Sequence, residues 1–185
     1  MSDNWVEFLS VAATEDEAAQ LVDDQIDWLL AREIIAVAEH PDPFYGAYRE
    51  GRRFAEAFDP AWVPDHVAAS GRHILFGVRA HKGWQISSNL DGFEGPPCPQ
   101  CSQPLPTAVA GGELLSRWYE TRSEPTATCG QCGHTDLLGN WPHVFAGYGN
   151  YGSLSFVNSW PLSEQFESEL LERIGHRARM LYVRL

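Results

Sequence analysis

The pattern of hydrophobic and polar positions predicts regular structure most clearly near the N-terminus. Residues 5–11 alternate loosely between apolar and polar side chains, as in a half-buried strand. Thr14, followed three residues later by Glu17, forms a capping-box pattern and predicts that a helix begins there. The following apolar positions have the spacing of one buried helical stripe: Ala18, Leu21, Val22, Ile26, Leu29 and Leu30. We expect this helix to be followed by a second strand over residues 34–38.

The C-terminal residues repeat this strand–helix–strand pattern. Residues 153–159 predict a strand, and residues 177–185 alternate again and predict the last one. Between them, Ser163 is the expected N-cap of a helix, and Gly175 is the glycine expected to end it. The apolar stripe of this helix comprises Phe166, Leu170, Leu171 and Ile174.

The middle of the chain is less periodic. We interpret residues 48–58 as a short amphipathic helix with its two phenylalanines, Phe54 and Phe58, turned inward. Residues 73–79 and 83–88 predict two strands joined by a hairpin turn.

Together these elements predict an α+β fold, with a single mixed β-sheet and helices packed on it. Residues 1–97 and 140–185 would form one domain, interrupted by a cysteine-containing insertion over residues 98–139. Within the insertion, residues 112–119 fit either a helix or a strand. The glycine-rich segment 147–152 is interpreted as a loop that packs the insertion against the main body.

Two Cys-x-x-Cys pairs are the strongest indication of a binding site in the chain. They contain all four of its cysteines: Cys98, Cys101, Cys129 and Cys132. Two such turns supply four thiolates in a tetrahedron, so the spacing favours a structural zinc site of the zinc-ribbon type. Two disulfides or an iron–sulfur cluster remain alternatives. Because four protein ligands fill the coordination shell of zinc, we expect no catalytic role for the metal. We interpret His134 as a solvated neighbour, and expect Gly130 and Gly133 to close the second turn with positive φ.

Composition places the chain of 185 residues among ordinary soluble proteins, with 44% hydrophobic and 21% charged residues. No apolar run approaches the roughly 20 residues needed to cross a bilayer, so we expect no membrane partner. The N-terminus lacks the basic start and apolar core of an export signal. Together with cysteines spaced for metal, this favours a reducing, cytoplasmic location.

The net charge of −12 is unevenly distributed. Residues 1–60 carry 14 acids and 4 bases, whereas residues 161–185 carry 4 of each. Such a field repels phosphate backbones and favours basic partners. The insertion has no basic patch either, so direct nucleic-acid binding is disfavoured.

Much of this acidity falls on one side of the predicted N-terminal helix. The acids concerned are Asp16, Asp23, Asp24 and Asp27. At 100° per residue they span about 100° of arc, opposite the apolar stripe. Two interpretations stay open: a solvated helix face, or an electrostatic docking surface for a basic protein. Trp28 lies at the border of the two faces, where it could anchor an interface or cover the edge of the core.

The C-terminal residues also carry a resemblance. Residues 156–162 read FVNSWPL, and they are followed by Phe166 and by Gly175-His176-Arg177. This resembles the end of a bacterial family of uncharacterised small proteins with two Cys-x-x-Cys pairs in mid-chain and an aromatic-Asn-x-Trp-Pro segment before the last helix. The resemblance covers residues 98–185 and implies the zinc ribbon, but no activity.

A looser analogy, in size and charge alone, is to the acidic immunity proteins that neutralise bacterial toxins. We therefore expect a non-enzymatic protein that binds a basic partner, such as a toxin domain acting on nucleic acid. The alternative is an enzyme of unknown reaction, with a structural zinc and a pocket near Trp141, His143 and Tyr148. The sequence contains no nucleophile elbow, phosphate loop or His-Glu-x-x-His motif, so no catalytic residue is assigned.

Overall fold

The computed structural model describes residues 4–65, 76–89 and 91–184. The strands, in chain order, are β1 (Asn4–Ser10), β2 (Ile35–Asp42), β3 (Gly46–Glu50), β4 (Gly77–Ser88), β5 (Thr126–Thr128), β6 (Thr135–Leu137), β7 (Gly147–Val157) and β8 (Ala178–Arg184). The α-helices are α1 (Glu15–Ala31), α2 (Leu115–Thr121) and α3 (Glu164–Ile174). A π-helical segment, Ala108–Leu114, precedes α2, and 3₁₀ turns cover Phe54–Ala57 and Leu138–Asn140.

Six strands form one sheet in the order β2-β3-β4-β7-β1-β8, and β5 pairs with β6 in a separate small sheet. The predicted α+β class is confirmed. Within the described residues every strand pairing is antiparallel, where a mixed sheet was expected. The long segment between β4 and β7 connects two strands that are neighbours in the sheet. It therefore acts as the connection of a very long hairpin.

Helices α1 and α3 cover one face of the large sheet. Val6 and Phe8 of β1 project toward these helices, as do Leu154 and Phe156 of β7. The same core takes in Ile26 and Leu29 of α1, Phe166 and Leu170 of α3, Phe54 of the first 3₁₀ turn, and Phe58 directly after that turn. Burying these side chains stabilises the fold by about 1.5–3 kcal/mol each. Of the helices that the structure describes, none combines the length and apolar character needed to cross a bilayer.

The predicted helix ends are confirmed where cap residues mark them. The Thr14 hydroxyl accepts from the backbone N–H of Glu17, and the Glu17 carboxylate accepts from the backbone N–H of Thr14. Ser163 caps α3 in the same way, by accepting from the backbone N–H of Phe166. Helix α3 ends at Gly175, as predicted, and the φ of this glycine is +88°.

The predicted hairpin between residues 79 and 83 is wrong. β4 is one continuous strand that pairs with β7 along its length. Lys82 lies opposite Gly152 and Gln85 opposite Asn150, so β4 accommodates one extra residue there as a β-bulge. Gly83 lies in this bulge, and its φ of +113° is one that glycine adopts more readily than other residues. Residues 73–75 of the predicted strand lie outside the described part of the chain.

The glycine-rich segment 147–152 is likewise not a loop, because it forms the first half of the central strand β7. Its glycines are explained by packing. A Cβ atom at Gly149 would lie 2.6 Å from the ring atoms of both Trp84 and Trp118. At Gly152 it would lie 3.1 Å from Val22 of α1. The indoles of Trp84 and Trp118, and the side chain of Val22, thus occupy the space that side chains at Gly149 and Gly152 would need.

Two further segments differ from, or resolve, the predictions. Residues 48–50 belong to β3, so only the end of the predicted helix over residues 48–58 exists, as the 3₁₀ turn. The inward orientation of Phe54 and Phe58 is confirmed. Residues 112–119 are helical: they span the end of the π-helical segment and most of α2.

A second apolar cluster joins the insertion to the large sheet. Leu9 of β1, together with Leu181 and Val183 of β8, packs with insertion residues such as Leu138 and with Trp141. These sheet residues lie on the face opposite α1, because they alternate with Val6, Phe8 and Tyr182. The insertion therefore buries part of the second face of the sheet.

Candidate functional site

The two Cys-x-x-Cys turns have matching backbone hydrogen bonds. In the first, the Cys98 N–H donates to the Gln103 carbonyl at 2.9 Å, and in the second the Cys129 N–H donates to the His134 carbonyl at 2.8 Å. Ser102 and Gly133, each four residues past the first cysteine of its turn, both have positive φ. The prediction for Gly133 is confirmed, whereas Gly130 is not in the positive-φ region.

The four sulfur atoms converge at the mouth of these turns. All lie within 4.8 Å of one another. The Sγ atoms of Cys98 and Cys132 are 3.7 Å apart, and those of Cys101 and Cys129 are 3.6 Å apart. These distances exceed a disulfide bond of about 2.05 Å, and all four thiols are free. The cluster could hold one metal ion with four sulfur ligands.

Backbone N–H groups favour the thiolate form at Cys129, whereas the pKa values of Cys101 and Cys132 are raised. The N–H groups of Cys132 and Gln131 lower the pKa of Cys129 to about 6. The N–H of Gln103 acts in the same direction on Cys101, but burial and the three neighbouring thiols together raise the pKa of Cys101 to about 12. A metal cation among the sulfurs would favour the thiolate form of all four, since metal binding displaces the thiol protons.

His134 lies beside the cluster but outside the set of converging groups. Its ring packs against Trp141, with centroids 5.7 Å apart. The His134 Nε2 atom is buried without a hydrogen-bond partner among the described residues, and the residue as a whole is half-buried, so its side chain is less solvated than predicted. The imidazole instead covers one side of the insertion's core.

A largely buried ion pair joins the insertion to β8 and to the turn before it. The guanidinium of Arg177 donates to both oxygens of Glu124, whose Oε1 also accepts from the Gly139 N–H at 2.7 Å. The two charged side chains are only 13% and 14% exposed. Arg179 donates from Nε to the Gly139 carbonyl at 2.8 Å. The end of the insertion is therefore fixed to the sheet by charged hydrogen bonds.

The three residues proposed from sequence as an enzyme pocket are used structurally. Trp141 and Tyr148 are fully buried. The Tyr148 hydroxyl donates to the Trp141 carbonyl at 2.9 Å and accepts from the His143 N–H at 2.8 Å, and burial raises the pKa of Tyr148 to about 12. The His143 imidazole is 3.4 Å from the Glu94 carboxylate. This arrangement closes a turn, and it leaves neither the indole nor the phenol free to meet a substrate.

The four aspartates of α1 are all exposed, and we call them the acidic face: Asp16, Asp23, Asp24 and Asp27. Two of these aspartates have side-chain partners. The Lys82 Nζ atom lies 2.6 Å from Asp23, and Gln20 donates to Asp24 at 2.7 Å. Because the Lys82–Asp23 pair is solvent-exposed, it leaves the charge accessible to a partner.

Trp28 is less accessible than the acidic face beside it. Its ring stacks on Phe166 with centroids 5.6 Å apart. The guanidinium groups of Arg32 and Arg173 each lie 4.7 Å from the centroid of the same ring. Trp28 therefore joins α1 to α3, and a partner would meet the edge of this stack.

Sequence reasoning missed a polar cleft on the second face of the sheet. It is lined mainly by Trp5, Glu7, Arg79, Gln85, Ser87, Ser153 and Ser155. These residues come from β1, β4 and β7, which lie far apart in the sequence. The one local signal was Glu7, an acid in the middle of an otherwise apolar strand prediction.

Comparison with known proteins adds no relative to this picture. No family model matches the chain, and neither the curated proteins nor the solved structures compared with it gave a match.

Proposed function

We propose that this protein is a non-enzymatic binding protein of the inhibitor or immunity type. In this proposal the acidic face of α1 occupies a basic surface on a partner protein, such as a toxin domain that acts on nucleic acid. The observation that carries the proposal is the exposure of four aspartates on one side of a single, well-anchored helix.

The support for this role is electrostatic and structural. The buried residues of α1 pack on the sheet, so the helix presents its carboxylates from a rigid support. A concentrated negative field accelerates the association of a positively charged partner, and inhibition of that partner requires only that its site be covered. The last turn of α1 contains no basic residue that would offset the field within the helix.

We also propose that the cysteine cluster binds zinc with a structural role. Four thiolates at about 2.3 Å from one tetrahedral zinc ion lie about 3.8 Å from each other. The two shortest sulfur–sulfur distances in the cluster, 3.6 and 3.7 Å, agree with that spacing. With all four positions taken by Cys98, Cys101, Cys129 and Cys132, the ion would hold the insertion in shape. In a reducing cytoplasm the thiols would remain available for it.

The first test is capture of a partner from the native host lysate, followed by measurement of its binding kinetics. We expect a stoichiometric basic protein that is released by salt. Replacement of Asp23→Asn together with Asp27→Asn should lower its association rate, by up to about tenfold at low ionic strength, and weaken the salt dependence.

The matched control is Glu113→Gln with Glu120→Gln, which removes two charges from an exposed surface of the insertion. If both double variants slow association equally, only net charge matters and the acidic face is not the docking surface. If neither changes the kinetics, or if no basic protein is retained at low salt, the proposal is wrong.

A further inference from the structure

The polar cleft is a cavity of about 330 Å³ on the sheet face opposite α1 and α3. Glu7 alternates with Val6 and Phe8, and Ser153 and Ser155 alternate with Leu154, so their side chains point away from the helical core. His81 is exposed at the rim, whereas Ser153 and Ser155 are buried in the floor. The volume falls at the lower end of the range typical of small-molecule sites.

The carboxylate of Glu7 lies in the floor and is only 6% exposed. Its Oε1 atom accepts from the Ser87 hydroxyl at 2.7 Å and from the Gln85 amide at 3.1 Å. Its Oε2 atom has one long contact, 3.4 Å from the indole N–H of Trp5. No cationic group of the described residues forms an ion pair with it. A buried carboxylate is costly unless a cation or several donors satisfy it, so Glu7 retains unused capacity for a positively charged donor.

The polar side chains around Glu7 form one connected hydrogen-bond network. The Gln85 amide nitrogen lies within 3.3 Å of four oxygens, which belong to Glu7, Ser87, Asn150 and Ser153. An amide has only two protons to donate. The Ser87 hydroxyl donates to Glu7 and the Asn150 amide donates to Ser87, so the two Gln85 protons remain for Asn150 and Ser153. The Glu7 Oε2 atom is then the acceptor with capacity left, since its one contact in this network is the long one to Trp5.

Arg79 lines the same cleft, across β7 from Glu7, since both residues are paired with Ser155. Its guanidinium lies 4.7 Å from the ring centroid of Trp5 and 5.7 Å from that of Phe44. It forms no hydrogen bond or ion pair with any residue that the structure describes. Burial lowers the pKa of Arg79, and the nearby charge of Glu7 opposes that shift. The guanidinium is thus held by the aromatic rings, and its N–H donors have no acceptor among the described residues.

We propose that the polar cleft binds a small zwitterion of the amino-acid class, with its ammonium group at Glu7 and its carboxylate at Arg79. The ammonium would donate to the Glu7 Oε2 atom and compensate the buried carboxylate, and the carboxylate fits the bidentate donor pattern of a guanidinium. A neutral polyol would leave both protein charges uncompensated. A phosphate would pair with Arg79 but bring negative charge toward Glu7.

This proposal is independent of the acidic face, which lies on the other side of the sheet. Failure of one therefore leaves the other intact, and separate variants test them.

The test is isothermal titration calorimetry of the metal-loaded full-length protein with the proteinogenic L-amino acids. We expect at least one of them to bind with 1:1 stoichiometry and a Kd below about 1 mM. Glu7→Gln and Arg79→Met should each weaken that binding at least about tenfold, since each removes a charge-assisted contact. Analogues of the same ligand that lack the amine or the carboxylate should bind at least as poorly.

The matched controls are Glu39→Gln and Arg49→Met, which make the same changes on exposed parts of β2 and β3. They should bind like the wild type. Circular dichroism and metal content establish that each variant is folded. Binding by none of the amino acids would overturn the proposal. So would binding that the folded Glu7→Gln and Arg79→Met proteins retain, or an amine-free analogue that binds as tightly as the amino acid.

Discussion

Gly149 and Gly152 show how a single missing side chain can determine packing in this sheet. Both lie in the central strand β7, where glycine is unfavourable unless a neighbour needs the space. At Gly149 the space is taken by the indoles of Trp84 and Trp118. At Gly152 it is taken by Ala18 and Val22 of α1. These glycines therefore act through close approach of neighbouring elements.

Gly149→Ala should destabilise the protein by about 1–3 kcal/mol, because the added methyl group would overlap two indole rings held in a packed cluster. Urea denaturation measures the change. Gly112→Ala is the control, since no described atom lies within 4 Å of its Cβ position and its φ is not positive. That variant should be neutral or slightly stabilising. Equal effects of the two changes would contradict the packing explanation.

Single residues also show why the cysteine cluster could be predicted and the polar cleft could not. The pairs Cys98 with Cys101 and Cys129 with Cys132 are each defined by local spacing, which is visible in the sequence. The cleft instead needs Glu7, Arg79 and Ser153 to meet. That meeting depends on the order β4-β7-β1 in the sheet, which no local pattern records.

At the scale of elements, the predicted boundaries are correct where a cap residue marks the end of a helix. They are wrong where tertiary packing determines whether a segment is a strand or a turn. Thr14 and Ser163 fixed the beginnings of α1 and α3 because their hydrogen bonds are local. In β4, residues 80–82 were interpreted as a hairpin turn, and in β7 the glycine-rich residues 147–152 were interpreted as a loop. β4 and β7 are instead stabilised by pairing with each other and by the aromatic side chains that pack against them.

The cap of α1 makes a prediction about pH. The backbone N–H and the hydroxyl of Thr14 both donate to Glu17 and lower the pKa of that carboxyl. A lowered pKa in the folded state means that the ionised form stabilises the fold above the unfolded pKa of about 4.5. This stabilisation is lost as the pH falls through the lower, folded-state pKa.

Melting temperatures of the wild type and of Glu17→Gln, recorded from neutral pH to below pH 4, test this prediction. The variant should lose less stability on acidification, because it has no carboxyl to protonate at the cap. Glu15→Gln removes a charge from the same turn without touching the bond, and it serves as the control. A Glu17→Gln profile parallel to that of the wild type would contradict the assignment.

At the scale of the whole molecule, the insertion and the sheet share one apolar cluster, so loss of the metal should affect both. Leu9, Leu181 and Val183 of the sheet pack in the same cluster as Cys98 and Cys129. The Arg177–Glu124 pair adds a charged link between the two parts. Disorder of the insertion would therefore expose part of the sheet's second face.

Cys101→Ser should abolish stoichiometric zinc binding and destabilise the protein by at least several kcal/mol, because structural metal binding contributes directly to folding. Removal of the metal from the wild type by a chelator should have the same effect, and added zinc should reverse it. Metal analysis and thermal unfolding followed by near-ultraviolet circular dichroism measure these changes. Full metal retention with unchanged melting in Cys101→Ser would contradict a four-cysteine site.

The position of the insertion also bears on how the chain folds. Ser88 and Gly147 are paired across β4 and β7, yet residues 89–146 separate them. Pairing these strands closes a long loop, at an entropic cost that grows with the logarithm of its length. A metal ion already bound between Cys98 and Cys132 removes the residues between them from that loop. Such an ion would then accelerate assembly of the central strand pair, and it would influence the rate of sheet formation as well as the stability of the finished insertion.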